Sequence, residues 1–471
     1  MKRLFIIVLG SIIFTSCVRE RPYMYQRVEE LKFNPIEWRH PEPKRIQLDN
    51  GIVLYVLEDH ELPLIDGSGF IKAGAVYDTE DKVGLSEITA RVIRAGGTKN
   101  RSPEEIDSII EYNAARIEFN IEEDAAVSCG FSALKENMDE VLDIFADIVM
   151  NPAFREDKFS VEMEKLKEEI RRRNESPMEV AFVNFTKKLR RGHPTGRFPT
   201  IATVNKITQQ DVIEFHEKYY RPNNLILSIA GDFEVDSLVN KLNKAFKKWE
   251  KSEIAFPKIQ DLEERYEKKV YYVEKDVKQS TIIMGHLSIY RKDPDLYSLI
   301  VANRILGGNM SSRLFKKVRD EQGLAYTVGS YLSPGNLYRG DLGIYCQTDA
   351  GNTGKAIKLI LEEAKKMQKE EVEGREIEDN KEGIKNRFVF TFESPLQIAR
   401  NAAYLEFYDL ERDYYDKYIE NIDKVSRATL LDAMERKFLP DKMEILIVGK
   451  MADFDIPLDS LGKVEKIELE E

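Results

Sequence analysis

Apolar and polar residues alternate with a helical period in the segment GLSEITARVIRAGG, residues 84–97. Its apolar residues share one face at this spacing: Leu85, Ile88, Val92 and Ile93. A glycine pair ends the pattern, so the sequence predicts a helix over residues 85–95. The polar face carries Glu87 and Arg91, which stand four residues apart and therefore face each other. They form either a functional pair at a site or an ion pair on the surface.

The same order of predicted elements occurs twice along the chain. The tripeptide Glu-Ser-Pro at 175–177 precedes an apolar segment that ends at Gly231, and its copy at 393–395 precedes one that ends at Gly449. The tripeptide and the glycine are equally far apart in both copies, so a single offset relates the first copy to the second. Each copy contains a helix, a turn with proline and a short apolar strand, so the pattern indicates an internal duplication.

Further predicted elements of the two copies define the fold class. Alternating segments at 68–78 and 280–290 predict half-buried strands, and the segments 136–150 and 355–370 predict long helices. Strands mixed with long helices indicate an α+β fold. We therefore predict two homologous lobes that arose by duplication, each with mixed or antiparallel sheets and packed helices.

The duplication also sets the expected domain boundaries. The first lobe is expected over 40–250 and the second over 268–471. The segment 251–267 between them is charged and contains a proline, as is typical of a linker. Residues 18–39 are predicted to form an exposed tether.

Composition narrows the class of protein further. The chain has 471 residues, 42% of them apolar, which is enough to build more than one core. Its formal net charge is −12, and its basic residues are interspersed with acidic ones, so nucleic acid is not an expected partner.

The first seventeen residues, MKRLFIIVLGSIIFTSC, follow the pattern of a bacterial secretory signal peptide, with two basic residues and an apolar core too short to span a bilayer. The end of this segment resembles a lipoprotein box, which predicts lipidation of Cys17 and an extracytoplasmic, membrane-anchored or secreted protein. The alternatives are a plain cleaved signal peptide and an uncleaved anchor. Cys129 and Cys346 lie in alternating apolar segments, which favours two buried thiols over a disulfide.

Five segments together carry a resemblance to a known family. They are LDNGIVLYVLEDHELPL (48–64), AGGTKNRSPEEI (95–106), GHPTGR (192–197), YYRPNNLILSIAGDF (219–233) and LGGNMSSRLFKKVRDEQGLAYTVGSYL (306–332). With these segments the chain resembles the pitrilysin/insulinase family of zinc peptidases, in the two-lobed form of bacterial processing proteases and mitochondrial processing peptidase subunits. The resemblance extends from about residue 45 to residue 460.

The resemblance implies a zinc site on the helix at 85–95, and the sequence departs from it there. Active family members carry His-x-x-Glu-His, two histidines that bind zinc and a glutamate that acts as general base. The corresponding residues are Glu87, Ala90 and Arg91, none of which can perform the family's role. The family's third ligand is a later glutamate, for which Glu168 and Glu169 are the candidates. Without histidine partners, we expect both to belong to a charged helix face, and Glu87 and Arg91 to form an ion pair.

A second set of family residues is retained. The resemblance implies that an Arg and a Tyr in the second lobe hold the substrate peptide near the zinc, and Arg319 and Tyr326 match this pair. Arg can donate two hydrogen bonds to a carbonyl or carboxylate, and the Tyr hydroxyl can polarise a scissile carbonyl. Gly323 predicts that the helix ends between them. His193, in the GHPTGR loop, is interpreted as structural.

The zinc-binding residues that the resemblance implies are absent, whereas the substrate-holding Arg and Tyr are present. We therefore predict that catalysis and substrate binding are divided between two chains. The leading hypothesis is a non-catalytic subunit of a two-chain zinc peptidase, which binds peptide and completes the chamber of a homologous, motif-bearing partner. Zinc is then expected in the partner and no cofactor in this chain. The alternatives are a scaffold or peptide-binding lipoprotein without a proteolytic role, and an active peptidase with unconventional ligands.

Overall fold

The computed structural model describes residues 40–122, 125–265 and 267–469. The predicted signal peptide, the predicted lipidation site Cys17 and the predicted tether at 18–39 lie outside these residues. From His40 onward the chain forms one compact unit. No helix in the described part of the chain is both long and apolar enough to cross a bilayer.

The first half of the described chain builds a mixed sheet of six strands in the order β1-β2-β6-β3-β5-β4. The strands are β1 (Lys44–Gln47), β2 (Val53–Glu58), β3 (Leu64–Ile71), β4 (Arg116–Glu122), β5 (Ala126–Leu134) and β6 (Leu225–Gly231). The helices are α1 (Leu85–Ala95), α2 (Pro103–Tyr112), α3 (Met138–Met150), α4 (Glu156–Arg173), α5 (Pro177–Leu189), α6 (Ile201–Val204), α7 (Gln209–Tyr219) and α8 (Val235–Ala245). Strands β2 and β6 are parallel, and the other neighbouring pairs are antiparallel.

The second half builds a mixed sheet of six described strands in the order β12-β7-β11-β8-β10-β9. The strands are β7 (Lys269–Glu274), β8 (Gln279–Leu287), β9 (Ala325–Ser333), β10 (Asp341–Asp349), β11 (Glu444–Gly449) and β12 (Lys463–Lys466). The helices are α9 (Leu296–Leu306), α10 (Thr353–Lys369), α11 (Gly374–Phe388), α12 (Pro395–Phe407), α13 (Tyr418–Asp423) and α14 (Arg427–Lys437).

The two sheets repeat the same arrangement. In each, the strand that ends at Gly231 or Gly449 pairs in parallel with the first long strand and antiparallel with the second. The edge strands differ, because β1 is antiparallel to β2 whereas β12 is parallel to β7. The predicted α+β fold with two duplicated mixed sheets is confirmed.

The two halves exchange one helix each. Helix α5 belongs to the first half by sequence but packs on β8 and β11 of the second sheet. It inserts Val180, Phe185 and Leu189 into a buried cluster with Ile283 and Leu446. Burying each such side chain contributes about 1.5–3 kcal/mol to the free energy of folding. This contact therefore stabilises α5 on the sheet of the second half.

Helix α12 belongs to the second half by sequence and packs on the sheet of the first half. It packs on β2, β3 and β6 of the first sheet. The Ser228 hydroxyl donates a hydrogen bond to the Ala399 carbonyl at 3.1 Å, and the Arg45 guanidinium donates two to the Glu406 carboxylate at 2.6 and 2.8 Å. The sheet of each half is therefore covered by a helix of the other.

Two strands differ from the expectations for segments 280–290 and 68–78. The alternating pattern of segment 280–290 predicts a half-buried strand, but every residue of β8 after Gln279 is buried, because α5 covers the face that would otherwise meet water. The strand expected over 68–78 ends at Ile71, where the chain turns into a short helical segment at Ala75–Tyr77. Cys129 and Cys346 are buried free thiols, as predicted.

Ion pairs also join the two halves. Arg190, just after α5, donates hydrogen bonds of 3.2 and 2.7 Å to the Asp341 carboxylate on β10, and both side chains are mostly buried. Arg191 contacts Glu444 on β11 at 2.8 Å. Burial raises the pKa of Asp341, and the Arg190 guanidinium opposes that rise. These contacts fix the exchanged helix against the sheet it covers.

Candidate functional site

Helix α1 has the predicted bounds and is held at its first turn by Asp78. The buried Asp78 carboxylate accepts hydrogen bonds from the backbone N–H of Gly84 and of Ser86, both at 2.8 Å. The backbone N–H groups of the first turn of a helix have no acceptor within the helix, and a carboxylate in this position accepts hydrogen bonds from them. Ile88, Val92 and the other apolar residues face the core, so α1 presents its opposite face outward.

The open face of α1 carries an ion-paired cluster of three residues. Arg91 donates a hydrogen bond of 2.6 Å to Glu87, one turn earlier. It donates two more, of 2.9 and 2.5 Å, to the carboxylate of Glu169 on α4. The predicted contact between Glu87 and Arg91 is therefore present, and Glu169 extends it to a second helix. Hydrogen bonds from Arg91 lower the pKa of Glu169, although partial burial opposes this shift.

Glu168 and Glu169 have different surroundings. Glu168 contacts Arg171 and Arg172 of its own helix, at 3.6 and 3.1 Å, on the exposed side of α4. The apolar residues of α4 define its inner face: Phe159, Met163, Leu166 and Ile170. On a helical projection, Glu169 flanks this face and Glu168 lies nearly opposite it. The apolar spacing therefore contains the signal that separates the two, although the run of charges alone places both on one face.

The donor set of this cluster does not fit zinc. A guanidinium has five N–H donors and no lone pair for a metal, and Arg91 places it between the two carboxylates. Ala90 is buried in the core and carries no carboxylate that could take a proton from water. Within the described residues, no group of three His, Cys, Asp or Glu side chains is arranged to hold a metal ion. No hydrolytic step is therefore assigned to this cluster.

Arg319 and Tyr326 lie together in the second half. Arg319 belongs to a helical segment, Phe315–Glu321, and the chain then turns at Gly323, whose φ is +61°. Tyr326 is near the start of β9, an edge strand of the described sheet. The predicted helix end between the two residues is confirmed.

The contacts of Arg319 keep its donors available. Its guanidinium lies over the ring of Phe315 at 4.6 Å and over the ring of Tyr326 at 5.5 Å. Stacking on aromatic faces holds an Arg in place without using its N–H donors. No carboxylate in the described part of the chain forms an ion pair with Arg319, and Tyr326 is 74% exposed. Both residues can therefore meet a ligand.

The predicted site residues thus fall into two separate sets. Glu87, Arg91 and Glu169 contact one another, and so do Arg319 and Tyr326. No hydrogen bond or ion pair among the described residues joins the first set to the second. Cooperation between them would require a ligand that spans the distance.

His193 is buried by contacts with its own loop and with the linker. Its Nδ1 accepts a hydrogen bond from the Thr195 backbone N–H at 3.2 Å, which leaves Nε2 to donate to the Gln260 carbonyl at 2.9 Å. Burial lowers its pKa. These contacts favour a structural role for His193, which fastens the linker to the first half.

Sequence reasoning missed a cavity beside this histidine. It has a volume of about 550 Å³ and is lined by segments 76–79, 191–194 and 257–263, with Tyr219 and Arg265 among its other residues. The linker forms one wall of the cavity. Because the sequence predicts only that the linker connects the two lobes, the cavity could not be predicted from it. Its size is in the range of small-ligand pockets, about 300–1,000 Å³.

Two duplicated mixed sheets, with an ion-paired cluster on the helix where the resemblance implies a metal site, define a two-lobed α+β protein of peptidase-like fold. Two family profiles match the chain: the insulinase profile (peptidase family M16) matches residues 69–201, and the profile of the peptidase M16 inactive domain matches residues 206–384. The chain belongs to the insulinase family, peptidase family M16.

Similar proteins agree with this assignment. An "Uncharacterized zinc protease" of Rickettsia bellii is 26% identical over 407 residues, which cover 83% of this chain and 94% of the relative. The "Non-peptidase homolog YmxG" of Helicobacter pylori is 24% identical over 80% of this chain and 86% of its own. A crystal structure of a peptidase M16 inactive domain from Pseudomonas fluorescens superposes with a TM-score of 0.79, covers 87% of this chain and 98% of its own, and shares 22% identity, so it supports the fold alone.

Proposed function

We propose that this chain is the non-catalytic subunit of a two-chain zinc peptidase of the insulinase family. The homologous partner carries the zinc and its ligands, and this chain binds the peptide substrate and completes the chamber. One observation supports the proposal above all: Arg91 closes the metal position by pairing with Glu87 and Glu169, whereas Arg319 and Tyr326 keep no such partner among the described residues.

The substrate expected for this chain is an extended peptide. Among the described residues, β9 pairs with β10 on one side and has no strand on the other. An edge strand offers backbone donors and acceptors to a peptide that adds as a further strand. Arg319 and Tyr326 stand at the start of this edge, where their N–H and O–H groups can bind a peptide carbonyl.

The roles of the two side chains differ in this proposal. Arg319 is expected to fix a carbonyl or carboxylate of the peptide with two parallel hydrogen bonds. Tyr326 is expected to donate its hydroxyl to the scissile carbonyl of the peptide, whose oxygen gains negative charge when water adds to its carbon. The partner supplies the metal and the general base, and this chain supplies donors that are already in place.

A scaffold or peptide-binding lipoprotein without a proteolytic role is the second candidate. The observation that favours it is the ion-paired cluster itself, since a chain that has lost its metal ligands retains a fold suited to binding alone. The name of the Helicobacter pylori relative, a non-peptidase homologue, points the same way. An active peptidase with unconventional ligands is disfavoured by the donor set around Arg91.

Mixing experiments distinguish these functions. The purified chain alone is expected to leave an unfolded peptide intact, and adding it to the motif-bearing homologue of the same organism is expected to raise that protein's rate at least about tenfold. An unchanged rate, with the two proteins shown to be pure and folded, would favour the scaffold. Hydrolysis by this chain alone that a chelator abolishes would overturn the proposal.

We also propose that Cys17 anchors the chain to a bacterial membrane on its extracytoplasmic side. The support is the sequence MKRLFIIVLGSIIFTSC, with its short apolar core before the cysteine. Replacing Cys17 by Ala is expected to move most of the protein from the membrane fraction to the soluble fraction. Cys129→Ala is the matched control, because that thiol is buried in β5. Retention of the Cys17→Ala protein at the membrane would contradict lipid anchoring.

A further inference from the structure

A basic cavity lies in the second half between helices α9, α11 and α13. We call it the arginine pocket. It has a volume of about 360 Å³, and the residues that line it include three arginines, an amide and a set of aromatic rings: Arg291, Arg304, Arg387, Asn303, Phe388, Tyr414, Tyr415 and Tyr418. No Asp or Glu is among the described residues that line it.

Arg304 is held in this pocket without an acidic partner. Its guanidinium lies against Gly383 of α11, so close that a Cβ added there would come within 2.4 Å of a guanidinium nitrogen. Its Nε is buried and has no hydrogen-bond partner among the described residues. Burial and the nearby Arg387 together lower its pKa.

Three other arginines of the described chain show the contrasting arrangement, in which a carboxylate is present. Arg45, Arg190 and Arg313 each bind one carboxylate of this chain with two hydrogen bonds. A forked contact of this kind is the usual arrangement for an arginine removed from water. In the arginine pocket two cations stand near each other and no carboxylate of the described chain is present, so a bound anion would relieve their repulsion.

The internal repeat relates Arg387 of the pocket to Glu169 of the first half. Arg387 stands as far beyond Glu169 along the chain as the second Glu-Ser-Pro tripeptide stands beyond the first, so the two residues occupy equivalent positions of the internal repeat. Helices α9 and α11 are the counterparts of α1 and α4, the helices that carry Arg91 and Glu169. The second half therefore places a base where the first half places the acid that pairs with Arg91.

The walls of the pocket favour an organic anion over a hydrated inorganic one. The rings of Phe388 and Tyr418 stack in parallel with centroids 4.6 Å apart, and Tyr414 and Tyr415 complete the aromatic side. A ligand that fits must therefore combine a negative group with apolar or planar parts. A peptide that carries a carboxylate meets both requirements, because its backbone and side chains supply the planar and apolar parts.

The pocket also adjoins the space between the two halves. Arg291 lines both the arginine pocket and a neighbouring cavity of about 330 Å³. Residues from both halves line that second cavity, among them Arg190 and Phe198 from the first and Tyr338 and Asp341 from the second. A peptide between the halves can reach the arginine pocket through this shared arginine.

We propose that the arginine pocket binds a carboxylate of the peptide, carried by its C-terminus or by an acidic side chain, through Arg304 and Arg387. This inference rests on the proposed peptide-binding function and adds a specificity to it. The chain then prefers peptides that carry a carboxylate over neutral peptides of the same length.

Binding of dye-labelled, unfolded peptides to the full chain tests the pocket. The probes are a peptide with a free C-terminus and no acidic side chain, its C-terminally amidated twin, and two amidated peptides that carry one internal Glu or one internal Gln. The free acid, the Glu peptide or both are expected to bind about tenfold to a hundredfold more tightly than the neutral twin, measured by fluorescence anisotropy. The pair that shows the difference identifies the source of the carboxylate.

Three variants connect this preference to the pocket. Arg387→Gln, at an exposed position, and Gly383→Ala, which displaces the Arg304 guanidinium and keeps its charge, are expected to reduce the preference to about twofold or less. Arg375→Gln is the matched control, because its side chain is 92% exposed on the same helix. It is expected to leave the preference unchanged.

The outcomes separate the pocket from the proposed function. Equal binding of acidic and neutral twins overturns the arginine pocket and leaves peptide binding standing. A preference that survives both Arg387→Gln and Gly383→Ala also overturns the pocket. Failure of every peptide to bind overturns the pocket and the peptide-binding function together.

Discussion

The double variant Glu87→His/Arg91→His is expected to bind zinc, which the natural chain is not expected to hold in stoichiometric amount. The two substitutions remove the guanidinium and place two imidazoles four residues apart on one face of α1. Glu169 on α4 already directs its carboxylate at residue 91, from 2.5 to 2.9 Å away from the Arg91 nitrogens. Two histidines and one glutamate form a common three-ligand zinc site.

Elemental analysis and zinc titration measure this gain. The double variant is expected to bind zinc with a Kd of about 1 µM or tighter, since assembled zinc sites of this kind provide several kcal/mol of binding free energy. Glu87→Gln/Arg91→Gln is the matched control, because it removes the same ion pairs and adds no imidazole. Zinc in the natural chain at equal occupancy would contradict the interpretation of the ion-paired cluster.

Glu169 has a distinct role in that experiment. Adding Glu169→Gln to the double variant is expected to weaken zinc binding, by about tenfold or more, because an uncharged amide replaces a charged ligand. Glu168→Gln is expected to change nothing, since Glu168 contacts Arg171 and Arg172 on the other side of α4. Equal effects of the two substitutions would show that α4 does not present Glu169 to α1 in the way described.

Arg319→Ala is expected to lower kcat/KM of the two-chain enzyme by about tenfold to a hundredfold, because it removes the two charge-assisted hydrogen bonds that hold the peptide. Tyr326→Phe, which keeps the aromatic ring under Arg319 and removes the hydroxyl, is expected to lower kcat more than it raises KM. The measurement is peptide hydrolysis by a mixture with the motif-bearing partner at saturating concentration of this chain.

Lys316→Ala is the matched control for Arg319→Ala. Lys316 lies on the same helical segment and is exposed, so its removal changes the charge by the same amount. Its variant is expected to keep full activity. If Arg319→Ala and Lys316→Ala behave alike, Arg319 does not hold the substrate. If Tyr326→Phe also leaves kcat unchanged, the scaffold becomes the better account.

The sequence was informative where local pattern decides the structure. The apolar spacing at 84–97 predicted α1 with its correct bounds, and the repeat offset predicted the two related sheets. The contact between Glu87 and Arg91 followed from helical geometry alone, because residues four apart share a face. That Glu87 and Arg91 stand where the resemblance implies histidines is visible in the sequence itself, without coordinates.

Features that depend on distant packing were not visible. Arg304 and Arg387 belong to different helices, and only the packing of α9 on α11 brings them to one cavity. The same holds for the exchanged helices, since apolar spacing shows that α5 has a buried face but not which sheet covers it. The linker was predicted as a connection, and its contribution to a cavity beside His193 required the path of the chain.

The exchange of α5 and α12 has a consequence for how the polypeptide acquires its structure. When synthesis reaches residue 250, one face of the first sheet is still open to water, because the helix that covers it ends at Phe407. Contacts between residues so far apart along the chain form late, since closing the intervening loop has an entropic cost. The amino-terminal half is therefore expected to leave one face of its sheet exposed when it is made alone, and cutting the gene between the repeats is expected to yield two aggregation-prone fragments.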